Sequence, residues 1–269
     1  MLQRLKQWQR RRIVRRHPLD PELWRSVTAS LHVLQGLSGA ELHRLRDQVI
    51  LFLHEKQFYG ARGLTVTDTV QTAIAVQACL PILNLDMDYY RGWYSIICYQ
   101  DAFITRHQQM DYAGVVHNSE RVLTGEAWEH GPVILSVTDA TPDAEPFGAG
   151  TNVVIHEMAH KLDMLSGQAN GFPPLHPGMS TAQWATVMSA AFRRLSGQVR
   201  SGISQPLDPY GAENPAEFFA VMSECFFTAP ELLAGLSPQV YAQLAAFYRQ
   251  DPVQRRGYAP AAEGGSPIR

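Results

Sequence analysis

Cysteine is scarce in this chain: Cys79, Cys98 and Cys225 are the three thiols in 269 residues. They are scattered, lie mostly in apolar surroundings and have no zinc-thiolate spacing. That excludes a disulfide framework and a thiolate metal site, and predicts reduced core thiols. Long apolar runs are lacking too, so no membrane span is expected, and the basic start has no apolar core of the kind a signal peptide needs. A cytoplasmic location follows as the expectation. Net charge is small, −2 from 23 basic and 25 acidic residues, which gives no global attraction to nucleic acid and no expectation of direct contact with it.

No internal repeat is present, and no linker-like stretch divides the interior. With 45% hydrophobic residues the chain can bury a substantial core. The expected organisation is a basic N-terminal segment at 1–17, one domain over 18–256, and a disordered tail at 257–269 rich in Ala, Gly and Pro. In the first segment Arg4, Lys6, Arg10, Arg11, Arg12, Arg15 and Arg16 crowd around Leu2, Leu5, Trp8, Ile13 and Val14. This pattern suits a helix docked by an apolar stripe, with contact to anionic lipid or a partner protein as the alternative. Periodicity predicts helices near 20–35, 38–57, 67–80, 150–165, 180–196, 214–227 and 238–250. Strands are expected near 94–99, 113–117 and 133–137, which makes an α+β protein with a small sheet.

The residues with the clearest chemistry are His156-Glu157-Met158-Ala159-His160, the pattern H-E-x-x-H. A spacing of four on a helix returns to nearly the same face, so the two imidazoles can address one ion. Glu157 is rotated by about 100° and lies beside it, placed better as a base than as a ligand. The preceding run Gly150-Thr151-Asn152-Val153-Val154-Ile155 offers a cap and then an apolar turn for this helix, and Lys161 falls outside its inward-facing pattern. A catalytic zinc needs a third protein ligand. The extended metzincin pattern fails, because its glycine and last histidine positions are Asp163 and Ser166. His176, between prolines, reads as an ordinary loop histidine. Asn214-Pro215 marks a helix start with Glu217 in the first turn, beside a face too apolar for solvent; Glu217 is then either a ligand or half of a capping box with Asn214. Glu213, Glu224 and Asp208 compete for the ligand role, and Glu224 lies on nearly the same face as Glu217, two turns on.

Taken with Tyr210 and Glu217-Phe218-Phe219-Ala220, the run His156 to Asp163 resembles the Mlc titration factor A zinc peptidases, whose catalytic core is similar to that of anthrax lethal factor. Gly63 to Asp68, Ala78 to Pro81, Gly125 to Trp128 and Gly131 to Ser136 carry the likeness upstream, so it covers most of the chain. It implies a predominantly helical zincin-type metallopeptidase domain with a small sheet beside the H-E-x-x-H helix. It further implies Zn2+ held by His156, His160 and Glu217, Glu157 as general base, and Tyr210 as donor to the oxyanion. Aminopeptidase-like hydrolysis of short peptides and interaction with Mlc, a transcriptional repressor of sugar-uptake genes, are implied as well. The chain departs from many glutamate-ligand enzymes in having Val221 where they carry an aspartate; Asp163 is the expected partner for a ligand histidine, with Glu224 a second candidate. The run Val133, Ile134 and Leu135 is expected to offer its strand edge to an extended peptide, the alternative being an interior strand.

Overall fold

The structure, a computed structural model, describes residues 2–110, 116–123, 125–128, 131–141 and 150–257. Three helices open the chain: α1 (Leu2–Arg16), α2 (Pro21–Ser30) and α3 (Gly39–Glu55). The expected helix near 20–35 stops early because Leu31 is extended, and a 3-10 turn, His32–Leu34, follows. A capping box starts α3, with the Ser38 hydroxyl accepting from the Glu41 amide and the Glu41 carboxylate accepting from the Ser38 amide. Then come β1 (Gln57–Gly60), α4 (Asp68–Cys79), β2 (Ser95–Tyr99), β3 (Phe103–Met110), β4 (Val116–Leu123), β5 (Gly125–Ala127) and β6 (Val133–Ser136). The expected strand near 113–117 reaches the described residues only at the start of β4. The remaining helices are α5 (Val137–Ala140), α6 (Val153–Asp163), α7 (Thr181–Arg200), α8 (Pro215–Thr228), α9 (Pro230–Leu236), α10 (Pro238–Tyr248) and α11 (Pro252–Arg255).

The result is the expected α+β architecture, mostly helical around a small sheet. Strand order is β1-β2-β6-β5, the first three parallel and β5 antiparallel to β6; β3 and β4 form a separate two-stranded antiparallel sheet. Parallel pairing of β1 with β2 requires a crossover, and α4 supplies it. β6 is hydrogen-bonded on both sides, Ile134 opposite Ile97 on one and Glu126 on the other. Val133, Ile134 and Leu135 therefore do not form a free edge. The expectation is corrected because the short run Gly125–Ala127 folds back along them and takes the edge position.

One apolar core joins sheet and helices, and α8 contributes Phe218, Phe219, Phe226 and Phe227 to it. Almost every side chain of α8 is buried, in keeping with its apolar sequence all round. Trp184 of α7, Phe219 and Phe226 of α8, and Phe247 and Tyr248 of α10 are fully buried; they contact one another edge-on or at a tilt, except that Phe226 stacks on Tyr248. Burying each such ring contributes about 2–3 kcal/mol, so the helix carrying Glu217 is a rigid support. Cys79, Cys98 and Cys225 are free and buried, as expected of core thiols.

Candidate metal centre

Two helices build the site. Asn152 caps α6, its side-chain oxygen accepting from the Ile155 amide at 2.9 Å, and the first apolar turn buries Val154 and Ile155. One turn on, His156 and His160 share a face: their rings are T-shaped with centroids 4.8 Å apart, and their Nε2 atoms are separated by 3.1 Å. From α8, Glu217 Oε2 completes a triangle, 3.0 Å from His156 Nε2 and 3.2 Å from His160 Nε2. Asn214 caps α8 by accepting from the Ala216 and Glu217 amides, while the Glu217 carboxylate turns to the histidines. The capping-box alternative for that side chain is therefore not what forms.

Among the described residues, these three are the group whose donor atoms converge closely enough to hold a metal ion. A tetrahedral ion with bonds of about 2.1 Å spaces neighbouring donors by about 3.4 Å. The observed triangle is close to that size and needs only slight opening. Its chemistry fits as well, two imidazoles and a carboxylate being a catalytic zinc donor set. Asp208 instead accepts from the Tyr210 amide at 2.8 Å, and Glu213 is exposed; neither belongs to the triangle. His176 is buried elsewhere, its Nε2 donating to the Phe247 carbonyl and its Nδ1 facing the Tyr89 hydroxyl, so its role is in packing.

Glu224 stands behind the triangle. Its Oε1 lies 2.6 Å from His156 Nδ1, and its Oε2 accepts from the Asn152 amide at 2.5 Å. One carboxylate thus ties α8 to the first turn of α6 and fixes the tautomer that leaves Nε2 facing inward. Asp163 does not take this place. Its carboxylate accepts from the Asn170, Gly171 and Phe172 amides at 2.8, 2.7 and 2.9 Å, and makes no hydrogen bond to either histidine. The expectation fails because Asp163, at the end of α6, faces a loop whose three amides need an acceptor. Gly171 has φ +77°, and a Cβ there would run into the Pro215 carbonyl, so only glycine lets this loop lie against the start of α8.

The electrostatics favour positive charge. Burial pushes the His156 imidazole down, but Glu224 and Glu217 outweigh it and hold it well above its ordinary 6.5. Burial likewise pushes Glu217 up, and the hydrogen bonds from both histidines outweigh that, holding it far below the usual carboxylate range. Glu157 has no such partner: burial raises it to about 7, and its Oε2 has no hydrogen-bond partner. A carboxyl poised near neutrality is suited to move protons. Glu157 faces the sheet edge, where Gly125 of β5 comes so close that an added Cβ would lie 2.7 Å from Val153 Cγ2 and 2.8 Å from Glu157 Cγ. The Tyr210 ring sits 5.9 Å from the His156 ring on the 3-10 turn Pro209–Ala212.

Two features escaped the sequence reading. Lys161, expected outside the inward-facing pattern, is buried; its Nζ donates to the Trp128 and Gly131 carbonyls and fastens the turn between β5 and β6 to α6. Gln77 accepts from the Asn152 side chain at 2.6 Å and donates to the Ala140 carbonyl at 2.9 Å, steadying the cap from α4. Local periodicity carries no sign of either contact, although a glycine opening a strand, as Gly125 does, is a recognisable signal of close backbone approach.

Such a donor set belongs to the metal-dependent hydrolases, and comparison with known proteins narrows the class to metallopeptidases. The pattern of the family described as glucose-regulated metallo-peptidase M90 matches residues 5–249, and the chain belongs to that family. It is 36% identical over 235 residues to Mlc titration factor A of Klebsiella pneumoniae subsp. pneumoniae, covering 87% of this chain and 88% of the relative. Mlc titration factor A of Yersinia pestis is 36% identical over 229 residues, 84% of each chain. Family membership implies a metal ion. No helix among the described residues is long and apolar enough to cross a membrane.

Proposed function

We propose that this metallopeptidase is a zinc-dependent, aminopeptidase-like enzyme acting on short peptides, with His156, His160 and Glu217 as ligands and Glu157 as general base. The observation that supports this most is the convergence of His156 Nε2, His160 Nε2 and Glu217 Oε2 within 3.2 Å of one another, beside a buried carboxyl raised to about 7. A divalent zinc ion held there would polarise the scissile carbonyl and lower the pKa of water. Glu157 takes the proton from the attacking water and passes it to the leaving amine. Tyr210, packed near His156, donates a hydrogen bond to the developing oxyanion. Glu224 holds the His156 ring in register. The peptide lies along β5, the terminal strand of the sheet among the described residues and next to Glu157, rather than along Val133 to Leu135. That edge is only Gly125–Ala127 long, which suits a short substrate. Exchanging Glu157→Gln is expected to leave zinc bound and abolish hydrolysis of a short-peptide panel; turnover retained in metal-clean buffer would refute the mechanism.

A second reading comes from the relatives' name, which speaks of titrating Mlc. On this reading the chain binds an Mlc-like repressor through its surface, with or without catalysis. The Glu157→Gln protein separates the two: a pure titrator captures the repressor undiminished, whereas capture that depends on turnover is lost.

A further inference from the structure

Helix α1 carries seven cations and no acid, in a chain whose net charge is −2. At 100° per residue, Lys6, Arg10, Ile13 and Val14 fall on one arc of about 100°. That arc is the docked one: Ile13 and Val14 pack against the core, Arg10 pairs with Asp86 at 2.6 Å and with Asp88 at 2.7 Å, and Lys6 also pairs with Asp88. Arg4, Arg11, Arg12, Arg15 and Arg16 all fall on the opposite arc of about 140°, together with Leu5 and Trp8. These five arginines are exposed, and among the described residues none forms an ion pair. Leu5 and Trp8 are each 51% exposed, and the Arg12 guanidinium lies 5.5 Å from the Trp8 ring centroid.

We infer that this outward face of α1 binds the surface of an anionic phospholipid bilayer. The inner cations are already neutralised and hold the helix on the body, while the outer five serve no ion pair among the described residues. Charge complementarity calls for an anionic partner, and the acidic remainder of the chain gives the molecule a dipole that turns this face toward one. Interleaving of Leu5 and Trp8 with the arginines decides between lipid and nucleic acid. Contact with a duplex backbone is carried by the arginines and leaves Leu5 and Trp8 in water, whereas the headgroup boundary also takes up an indole and an aliphatic side chain.

Co-sedimentation of the full chain tests this, using vesicles of phosphatidylcholine alone and of phosphatidylcholine with phosphatidylserine, with double-stranded DNA as a competing polyanion. Binding is expected only to the phosphatidylserine vesicles and is expected to weaken at raised salt. Each arginine strengthens it about fivefold, so Arg11→Gln, Arg12→Gln and Arg15→Gln together should weaken it about a hundredfold. The pair Leu5→Gln and Trp8→Gln should weaken it at least about tenfold at unchanged charge. All these positions point outward, so unfolding temperature should stay as in the parent. No binding to phosphatidylserine vesicles, equal binding to both vesicle types, or DNA binding that survives the Leu5 and Trp8 exchanges would each overturn the inference.

Discussion

Exchanging Glu224→Gln keeps the shape of a buried side chain and removes one acceptor. The native carboxylate serves two donors, His156 Nδ1 at 2.6 Å and the Asn152 amide at 2.5 Å. A carboxamide has one acceptor oxygen, so one of the two donors must face an NH2 group instead. Losing one hydrogen bond to a charged group costs about 2 kcal/mol. If the loss falls on the imidazole, the ring is no longer held with Nε2 inward, and 2 kcal/mol corresponds to roughly thirtyfold in metal affinity, inside the range for partners of ligand histidines. Competition with a chromogenic zinc chelator reads this directly, and thermal unfolding of the metal-stripped protein shows whether the fold survived. Glu224→Ala, which strands both donors, should lose more. An intact Glu224→Ala fold binding zinc within about twofold of the parent would refute this role for Glu224.

Other outcomes follow from the same geometry. Asp163→Asn is expected to destabilise the fold by about 2 kcal/mol in denaturant unfolding, because one of three backbone amides loses its acceptor, while zinc affinity stays near that of the parent; a zinc loss matching that of Glu224→Gln would mean Asp163 acts on a histidine after all. In Gly125→Ala the methyl group displaces Glu157 or β5, and kcat should fall on the order of a hundredfold with metal content unchanged. Burial lowers Lys56 from its ordinary 10.5 to about 8, its Nζ donating to the Tyr90 and Trp93 carbonyls. Between these two values the unfolded chain binds the extra proton, so stability contributed by this group rises with pH. Relative to Lys56→Met, the parent should gain on the order of 2 kcal/mol between pH 8 and 10.5 in urea titrations; a flat difference would show that Lys56 titrates normally.

What the sequence discloses about the site is what helical geometry makes local. His156, Glu157 and His160 lie within one stretch of helix, and Asn214-Pro215 announces the start of the helix carrying Glu217, so their convergence needed only that α6 and α8 pack together. Glu224 is legible by the same rule, two turns on from Glu217. The contacts that residue patterns miss come from loops, turns and short strands, which helical periodicity does not describe. Asp163 has the right chemistry for a histidine partner, but the amides of residues 170–172 reach it from a loop that no periodicity describes. Val133 to Leu135 reads as an edge until Gly125–Ala127, too short to show alternation, pairs along it. Lys161 looks solvent-facing by helical phase, yet carbonyls from the turn at Trp128 and Gly131 come over to meet it. Residue patterns carried the helices and the α+β class, while strand order depended on pairings that only the folded chain displays.

The central claim is a single zinc centre on His156, His160 and Glu217. Anomalous diffraction recorded on both sides of the zinc absorption edge, from crystals of the intact chain, tests it most directly. One strong peak is expected within bonding distance of His156 Nε2, His160 Nε2 and Glu217 Oε2, present above the edge and absent below it. No zinc-specific peak at that triangle, or one held by Glu213 or Asp208 in place of Glu217, would contradict the account.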